Sequence, residues 1–404
     1  MVLHKIVRTL RREGPGGLIA RLRHRKRMDP AEAMTPQLAP PFRLPGSGAL
    51  RDLAASALVL LLGEDALAVD RDGDAPTIHV APHVAPGGPV LRPGDIALFP
   101  DRAAAAAFLA DGAAARGLPG CAAVLVPAPD CVPAFRAAGL GEGRVMVLPA
   151  PAGDALRDMA AGLARWLIAA GCLRPDAVEA TLYPALRRLA PQARLCLGLP
   201  ESGDRRRAFL RLGLEDFAIL DAIRMQPGWQ GCGWSYASIA RAALAQGAVP
   251  LTVCEDDMQP RAQFHRHLAG IETYLAQTEW DLFSGLVTDL PETCRIHRVE
   301  DRDGLRFVHL DYAIGMVCNI YNRRALERLA AWTPGGGRPE EDTVDVWLSR
   351  LPGLRVVTTL PFLAGHDPAA TSTIFGFGNR RYESLIRATE RRLAARVSAR
   401  LHGR

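Results

Sequence analysis

Short apolar runs separated by Ala-rich or polar stretches dominate the first half of the chain. The runs at residues 57–63, 77–82, 95–100, 122–129 and 144–151 predict β-strands, and the stretches 102–117 and 131–138 predict helices between the later strands. Strands that alternate with helices at short spacing are typical of a parallel, Rossmann-like sheet. We therefore predict an α/β domain over residues 49–155, followed by a helical bridge over residues 156–190. No GxGxxG follows any of these strands, so no dinucleotide site is expected there.

The second half repeats the pattern, but its strands end in charged residues. Residues 193–200, 217–224 and 249–254 predict three strands, and residues 228–247 predict a Gly-rich loop that opens a helix. The third strand runs directly into Glu255, Asp256 and Asp257. A buried core does not require adjacent acids, whereas ligands of open α/β sheets bind at the carboxyl ends of strands. The three acids therefore form either a solvated turn or a site for a hard cation such as Mg²⁺ or Mn²⁺.

Composition places the chain among globular proteins rather than disordered or fibrous ones. Of its 404 residues, 49% are hydrophobic and 23% are charged, and this length favours about two or three domains. The longest apolar run is well short of the about twenty residues that span a bilayer, and the N-terminus lacks the apolar segment of a secretory signal. Eight dispersed cysteines without a CxxC pair favour a reducing compartment and argue against structural zinc. We therefore expect a cytoplasmic protein.

The net charge of +6 is concentrated at the N-terminus. Residues 1–27 contain nine Lys or Arg side chains and one acid, Glu13. This distribution does not favour a nucleic-acid-binding surface. Two short amphipathic helices in residues 1–27 suit peripheral contact with an anionic membrane at its inner face; a solvated tail, or a helix packed on its own protein, is the alternative interpretation. Residues 28–48 are rich in proline and predict a linker, so residues 1–48 are treated as one segment.

Taken in order, the features of the second half resemble glycosyltransferase family 25, the lipopolysaccharide-type glycosyltransferases. The likeness covers about residues 193–385 and rests on an ordered series: the Arg-rich helix start at 205–207, GCGWSYASIARAAL, VCEDDMQP, AIGMVCNIYNRRALERLAAW, DTVDVWLSR and TLPFLAGHDPAATSTI. It implies a GT-A-like domain over residues 191–404. It also implies metal-dependent, inverting transfer of a hexose from a nucleotide sugar, such as a UDP-sugar, to a surface-polysaccharide or lipid-linked acceptor. The chain departs from the family at Gly198, where many relatives have Asn, and at Tyr236, where they have His.

The resemblance and the chemistry of the leaving group suggest roles for individual residues. A divalent ion, Mn²⁺ or Mg²⁺, held by Asp256 and Asp257 would stabilise the charge that develops on a leaving nucleoside diphosphate. His366 is a further candidate ligand, because imidazole binds Mn²⁺; the alternative is a loop histidine with no ligand role. The candidate donor-binding residues are Glu255, which would orient the ribose, together with Arg206, Arg207, Asp221 and Ser235.

An inverting displacement also needs a general base that accepts the proton of the acceptor hydroxyl. Asp345 matches the acidic position of the family best, and Asp342 is the second candidate; the alternative is that either residue caps the helix that follows. A second function is a non-catalytic scaffold or binding protein on a degenerate glycosyltransferase fold, with Gly198 and Tyr236 as traces of lost donor binding. A metal-dependent phosphoesterase is disfavoured, because no second cluster of His and Asp accompanies the triplet.

Overall fold

The computed structural model describes residues 38–45, 48–68, 75–80, 91–92, 94–111, 117–148, 153–183, 186, 188–335, 339–374 and 378–403. These residues form two compact units. The first comprises the described parts of Met1–Arg51 and Asp65–Leu148, and the second those of Asp52–Glu64 and Pro149–Arg404. The predicted α/β class is confirmed, because helices accompany sheets with parallel strands in the fold. The predicted basic tail at residues 1–27 lies outside the described residues.

Helix α1 (Ala49–Leu62) replaces a predicted strand. The prediction of a strand at residues 57–63 is wrong, since this run forms the second half of α1. Alanine and leucine dominate the helix, and both favour helical structure. An apolar run does not by itself distinguish a buried strand from a helix. The helix buries Ala54, Ala57 and Leu58.

The first unit contains a four-stranded parallel sheet. Its strands are β1 (Ile78–Val80), β2 (Ile96–Leu98), β3 (Ala123–Val126) and β4 (Val145–Val147), in the order β1-β2-β3-β4. Helices α2 (Arg102–Ala110) and α3 (Val132–Ala137) follow β2 and β3. The Asp101 side chain starts α2 by accepting from the N–H of Ala104 at 2.8 Å. The strands predicted at 77–82, 95–100, 122–129 and 144–151 are thereby confirmed, with shorter bounds.

The second unit contains a larger mixed sheet. Its described strands are β5 (Arg194–Gly198), β6 (Phe217–Asp221), β7 (Leu251–Glu255), β8 (Met258–Pro260), β9 (Leu282–Ser284), β10 (Ile296–Arg302), β11 (Leu305–Leu310), β12 (Cys318–Tyr321), β13 (Val356–Leu360) and β14 (Ala364–His366). Eight of them form one sheet in the order β10-β11-β13-β9-β12-β7-β5-β6, and β8 pairs with β14. Strand β5 is parallel to both β6 and β7. Their carboxyl ends therefore meet at one edge.

Helices cover this sheet and supply much of its core. They are α4 (Ala155–Ala169), α5 (Glu179–Leu182), α6 (Gly203–Leu210), α7 (Gly228–Gln246), α8 (Phe264–Leu275), α9 (Arg323–Ala330), α10 (Pro339–Asp342), α11 (Val344–Ser349) and α12 (Arg380–His402). Ile168 and Leu182, from the predicted bridge, share one core cluster with Leu195 and Phe209. None of the described helices combines the length and apolar character needed to cross a bilayer.

The glycines near residue 230 lie inside α7 rather than in a loop. The predicted Gly-rich loop is wrong, since α7 begins at Gly228. A Cβ at Gly231 would lie 2.2 Å from the carbonyl oxygen of Ile223, and a Cβ at Gly233 would lie 2.3 Å from the Trp332 ring. These glycines therefore allow close packing of the helix against its neighbours.

Candidate functional site

The carboxyl ends of β7, β5 and β6 lie side by side. Strand register places Gly198 of β5 opposite Asp221 of β6, and Leu197 of β5 opposite Glu255 of β7. The main-chain N–H of Asp256 donates to the Leu197 carbonyl at 3.1 Å, which extends the pairing one residue past β7. The fold therefore gathers the predicted acids at the sheet edge where open α/β sheets bind ligands.

Asp256 lies over the end of β5 and is only 3% exposed. Its Oδ1 accepts from Nη2 of Arg205, whereas its Oδ2 has no hydrogen-bond partner among the described residues. Burial raises the pKa of Asp256 to about 6, although the charge of Arg205 lowers it. A Cβ at position 198 would fall 2.3 Å from Oδ2, so only Gly198 leaves room for this carboxylate. Glycine at position 198 thus has a steric reason in this structure.

Asp257 is also buried, and several groups converge on its Oδ2 atom. Asn379 donates to it at 2.7 Å, Arg205 Nη2 lies at 3.2 Å, and His366 Nδ1 lies at 3.4 Å. Oδ1 has no partner among the residues that the structure describes. Burial alone would raise the pKa of this carboxyl, but Arg205 and His366 hold it well below its usual range. Asp257 is therefore ionised at neutral pH.

Glu255, the first acid of the triplet, is half-buried at the end of β7. Burial and the charge of Asp257 raise its pKa to about 7, against the opposing charges of His366 and Arg205. Near neutral pH this carboxyl therefore occurs in both protonation states. It can donate a hydrogen bond as well as accept one, which suits contact with a sugar hydroxyl.

The β8–β14 ribbon brings His366 to the acids. Strand β8 follows the triplet directly, and its pairing with β14 places His366 opposite Met258. The imidazole stacks on Tyr382 with the ring centroids 4.9 Å apart. Although burial lowers the pKa of His366, its contact with Asp257 raises it overall. The predicted ligand position is therefore beside Asp257, where the ring pairs with the carboxylate.

Of the two predicted phosphate-binding arginines, only Arg206 reaches the strand ends. Arg206 pairs with Asp221, which also contacts Arg165 at 3.1 Å. Arg207 is half-exposed and pairs with Asp204 at 2.5 Å. Successive residues of an α-helix point in different directions, so adjacent arginines on α6 cannot all face one ligand. Arg206 and Asp221 therefore belong to the edge described above, and Arg207 does not.

Ser235 is fully buried within α7. Its hydroxyl donates to the Gly231 carbonyl at 2.8 Å and accepts from the N–H of Ile223 at 2.9 Å. The prediction that Ser235 contacts a donor has no support in this geometry. The neighbouring Tyr236 is also buried and donates to the Met316 carbonyl at 2.9 Å. Both side chains therefore stabilise the packing of α7.

Cys232 on α7 is influenced by the charge of the predicted base and by charges of the acidic triplet. Burial raises the pKa of this thiol well above its ordinary value, and so do the charges of Glu255, Asp345 and Asp257. The charge of Asp345 thus acts on the same thiol as the charges of Glu255 and Asp257. Asp345 is half-buried in the first turn of α11, where its Oδ1 accepts from the N–H of Val346 at 2.9 Å, and burial raises its pKa.

Asp342, the second predicted base, ends α10. Its main-chain carbonyl accepts from Nε1 of Trp332 at 2.9 Å. Its carboxylate lies close to Gly335, since a Cβ added to that glycine would be 2.7 Å from Oδ1. The residue that precedes α11 is Thr343, so neither predicted base occupies the N-cap position. The structure thus places Asp342 beside the segment before α11 and Asp345 in the first turn of α11.

The sequence does not single out two residues of this site, Arg205 and Asn379. Arg205 is one of three adjacent arginines, and only the rotation of α6 decides which of them meets the acids. Asn379 precedes α12 and is 122 residues from Asp257, its hydrogen-bond partner. No motif marks such a distant amide, so this contact requires the folded structure.

A cavity of about 800 Å³ opens beside His366. It lies between the β8–β14 ribbon and α12, with Gln259 and Arg261 on one side and Glu383 and Arg387 on the other. Pockets for small ligands usually measure about 300–1,000 Å³. Its lining carries side chains of both charges, and Arg387 pairs with Glu383 across one turn of α12.

The acids offer oxygen ligands without forming a complete metal site. Within the described ranges, no group of three or more His, Cys, Asp or Glu side chains is arranged to hold an ion. The unpartnered buried oxygens of Asp256 and Asp257 nevertheless fit a hard cation, because such ions prefer carboxylate oxygen. The other oxygen of each pair contacts Arg205. The donor set therefore suits Mg²⁺ or Mn²⁺ in its chemistry.

No protein-family model matches this chain, and no curated protein is significantly similar to it in sequence. A functional interpretation therefore depends on the geometry of the sheet edge and on the ordered sequence features that end there.

Proposed function

We propose that this protein is a metal-dependent, inverting glycosyltransferase that moves a hexose from a nucleotide sugar, such as a UDP-sugar, to a surface-polysaccharide or lipid-linked acceptor. In this proposal the second unit is a GT-A-like domain and the first is a Rossmann-like domain. One observation carries it: Asp256 and Asp257 are buried at the end of a parallel strand, and each keeps an oxygen without a partner among the described residues. A solvated acidic turn would leave both side chains exposed.

Donor binding is assigned to the edge formed by β5, β6 and β7. Asp256 and Asp257, with His366 beside them, would hold Mn²⁺ or Mg²⁺, which supplies Lewis-acid stabilisation of a leaving diphosphate when bound. Arg206 lies at the same edge, and its guanidinium suits contact with phosphate oxygens. Glu255, which donates as well as accepts near neutral pH, would contact the ribose.

Acceptor activation is assigned to Asp345. A general base works best when its pKa approaches the working pH, and burial raises the pKa of Asp345. Its carboxylate would accept the proton of the acceptor hydroxyl as the new glycosidic bond forms. The cavity beside His366 has room for a glycan or glycolipid head group. Residues 1–27 would add peripheral contact with an anionic membrane at the cytoplasmic face.

The decisive experiment measures nucleotide release from a panel of nucleotide sugars, with and without Mn²⁺. We expect the wild type to turn over at least one donor in the presence of Mn²⁺. Asp257→Ala should reduce the rate about 10²-fold or more, because the charge on the leaving group loses its stabilisation. Asp204→Ala is a matched control, since this exposed aspartate pairs only with Arg207 among its described contacts. Metal-dependent turnover that survives Asp257→Ala would contradict the site.

A second candidate function is a non-catalytic scaffold or binding protein on the same fold. The contact of Arg205 with both aspartates favours it, because an internal ion pair closes the acids to a ligand. Calorimetric titration with the same nucleotide sugars and Mn²⁺ separates the two functions. Binding without turnover, or no binding of any donor, would favour the scaffold.

A further inference from the structure

Arg205 bridges the two aspartates of the proposed ion site. Its Nη2 contacts Oδ1 of Asp256 and lies 3.2 Å from Oδ2 of Asp257, and its Nη1 donates to the Thr371 carbonyl at 3.2 Å. The side chain is only 14% exposed. One guanidinium group therefore holds an oxygen of each carboxylate in a largely buried place.

The contacts of Arg205 with Asp256 and Asp257 leave negative charge uncompensated and, in the part of the chain that the structure describes, buried polar atoms without hydrogen bonds. Glu255, Asp256 and Asp257 follow one another, and among the described residues Arg205 is the permanent cation bonded to the two aspartates. Oδ2 of Asp256, Oδ1 of Asp257 and Nε of Arg205 are buried without partners in the described ranges. Because buried polar atoms without partners are costly, this ion pair is easier to rearrange than a fully bonded one.

We infer that Arg205 is an internal counter-ion that a divalent cation displaces, and that the released guanidinium then binds the diphosphate of the donor. This inference rests on the function proposed above and adds a regulatory step to the same site. The ion and Arg205 compete for the negative charge of the same two carboxylates, Asp256 and Asp257, and a nearby diphosphate gives the displaced guanidinium a new partner. Ion and nucleotide therefore raise each other's affinity by the same factor.

Calorimetric titration of the full chain with Mn²⁺ alone tests the competition. Arg205→Gln removes the competing cation, so we expect Mn²⁺ to bind about ten-fold more tightly, or better, than to the wild type. Arg206→Gln is the matched control, because it removes the same charge from the next residue of α6 while leaving the bonds to Asp256 and Asp257 intact. A general electrostatic effect would strengthen binding equally in both variants, and that result would overturn the inference.

Arg205→Lys keeps the test decisive if Arg205→Gln does not fold. Lysine preserves the positive charge but lacks the second donor arm that reaches the Thr371 carbonyl. We therefore expect a folded protein, verified by circular dichroism, with a Mn²⁺ affinity between those of the wild type and Arg205→Gln. A Mn²⁺ affinity no higher than that of the wild type would contradict displacement.

Titrations with UDP distinguish the counter-ion role from the proposed function. In the wild type, UDP should strengthen Mn²⁺ binding, and Arg205→Gln should reduce this coupling because the released guanidinium is missing. Undiminished coupling in Arg205→Gln would contradict the second half of the inference. Tight Mn²⁺ binding by Arg205→Gln without UDP binding to any variant would support the counter-ion role and contradict a UDP-sugar donor. No Mn²⁺ binding by any variant would overturn the inference.

Discussion

Two clusters of buried acid and arginine in the second unit differ in how completely they are bonded. Asp281 is fully buried, and both its oxygens are used: Oδ2 accepts from Arg324 Nη1 and from the main-chain N–H of Arg355, each at 2.9 Å, and Oδ1 accepts from Arg355 Nη2 at 2.9 Å. Asp256 and Asp257 share one guanidinium, and each keeps an oxygen without a partner in the described residues. Asp281 thus has its hydrogen-bonding capacity filled by the fold, whereas Asp256 and Asp257 each keep an acceptor that a further partner could use.

The two clusters also lie at opposite edges of the same sheet. Asp281 directly precedes β9, whereas Asp256 follows β7. Both strands are antiparallel to β12, so they run in the same direction. The start of β9 and the end of β7 therefore lie at opposite ends of the strands of the sheet. An acid before a strand serves the fold here, and acids after a parallel strand form the candidate site.

The largest expected effect concerns catalysis. Asp345→Asn should lower kcat about 10²–10⁴-fold, because the acceptor hydroxyl loses its general base, while donor binding and the melting temperature stay close to those of the wild type. In the wild type, burial raises the pKa of Asp345, so kcat should fall on acidification at a higher pH than an ordinary aspartate would give. Steady-state kinetics across pH with a nucleotide-sugar donor measure both effects. If Asp342→Asn lowered kcat more than Asp345→Asn, Asp342 rather than Asp345 would be the general base.

The next effect tests the contrast between the clusters through stability. Asp281→Ala should lower the free energy of unfolding by about 3 kcal/mol, because two guanidinium groups and a buried N–H lose their acceptor. Asp256→Asn should change it by less than about 1 kcal/mol, since it removes a buried charge that is incompletely bonded. Urea denaturation measures both variants. The activity of the folded fraction should survive in Asp281→Ala and be lost in Asp256→Asn; equal stability losses would remove the distinction.

A smaller effect follows from the glycine beneath Asp256. In Gly198→Ala the new Cβ would lie 2.3 Å from Oδ2 and push the carboxylate aside, so activity should fall about ten-fold and stability by about 1 kcal/mol. Gly270→Ala in α8 is the control, because its nearest neighbour, Leu305, is 3.9 Å away. That change should raise the free energy of unfolding by about 1 kcal/mol. Unchanged activity in Gly198→Ala would show that Asp256 does not need its observed position.

The smallest expected effect is a pH dependence of stability that comes from His309 on β11 rather than from the two acid clusters. Burial, with the charges of Arg298 and His297, lowers the pKa of His309 to about 4. Between pH 6.5 and 4 the unfolded chain gains a proton that the folded chain does not, so stability falls by about 1 kcal/mol, allowing for solvent screening. Urea midpoints measured across this range should vary less in His309→Gln. An unchanged pH dependence would assign the acid-side loss to other groups, including the two clusters.

Much of the fold was predictable because local patterns determine it. Alternating apolar runs predict β1 to β4 and β5 to β7, and the position of the acids after β7 follows from chain order. The prediction of a strand at residues 57–63 is wrong because a run of Ala and Leu is as compatible with a helix as with a strand. The loop predicted before α7 is wrong because its glycines serve contacts with Ile223 and Trp332, which only packing reveals.

The candidate site was predictable chiefly where residues adjoin a strand end. Glu255, Asp256, Asp257 and Asp221 follow this rule, and the structure places them at one edge. Ser235 does not follow it: this residue lies within α7, and its hydroxyl bonds to Gly231 of the same helix and to the N–H of Ile223. Asn379 reaches Asp257 through tertiary packing, which no local spacing encodes. Such large separations along the chain explain why the sequence identifies the acids but not their partners.

The long-range contacts of Asp257 also set the order in which the site is completed during synthesis. The acids leave the ribosome before Asn379, which is 122 residues further along the chain than Asp257. The sheet edge can therefore form while Asp257 still lacks its amide partner and His366. The growing chain acquires the full set of contacts only as α12 is made, so in an incomplete polypeptide Arg205 is available to pair with Asp257 before His366 and Asn379 are.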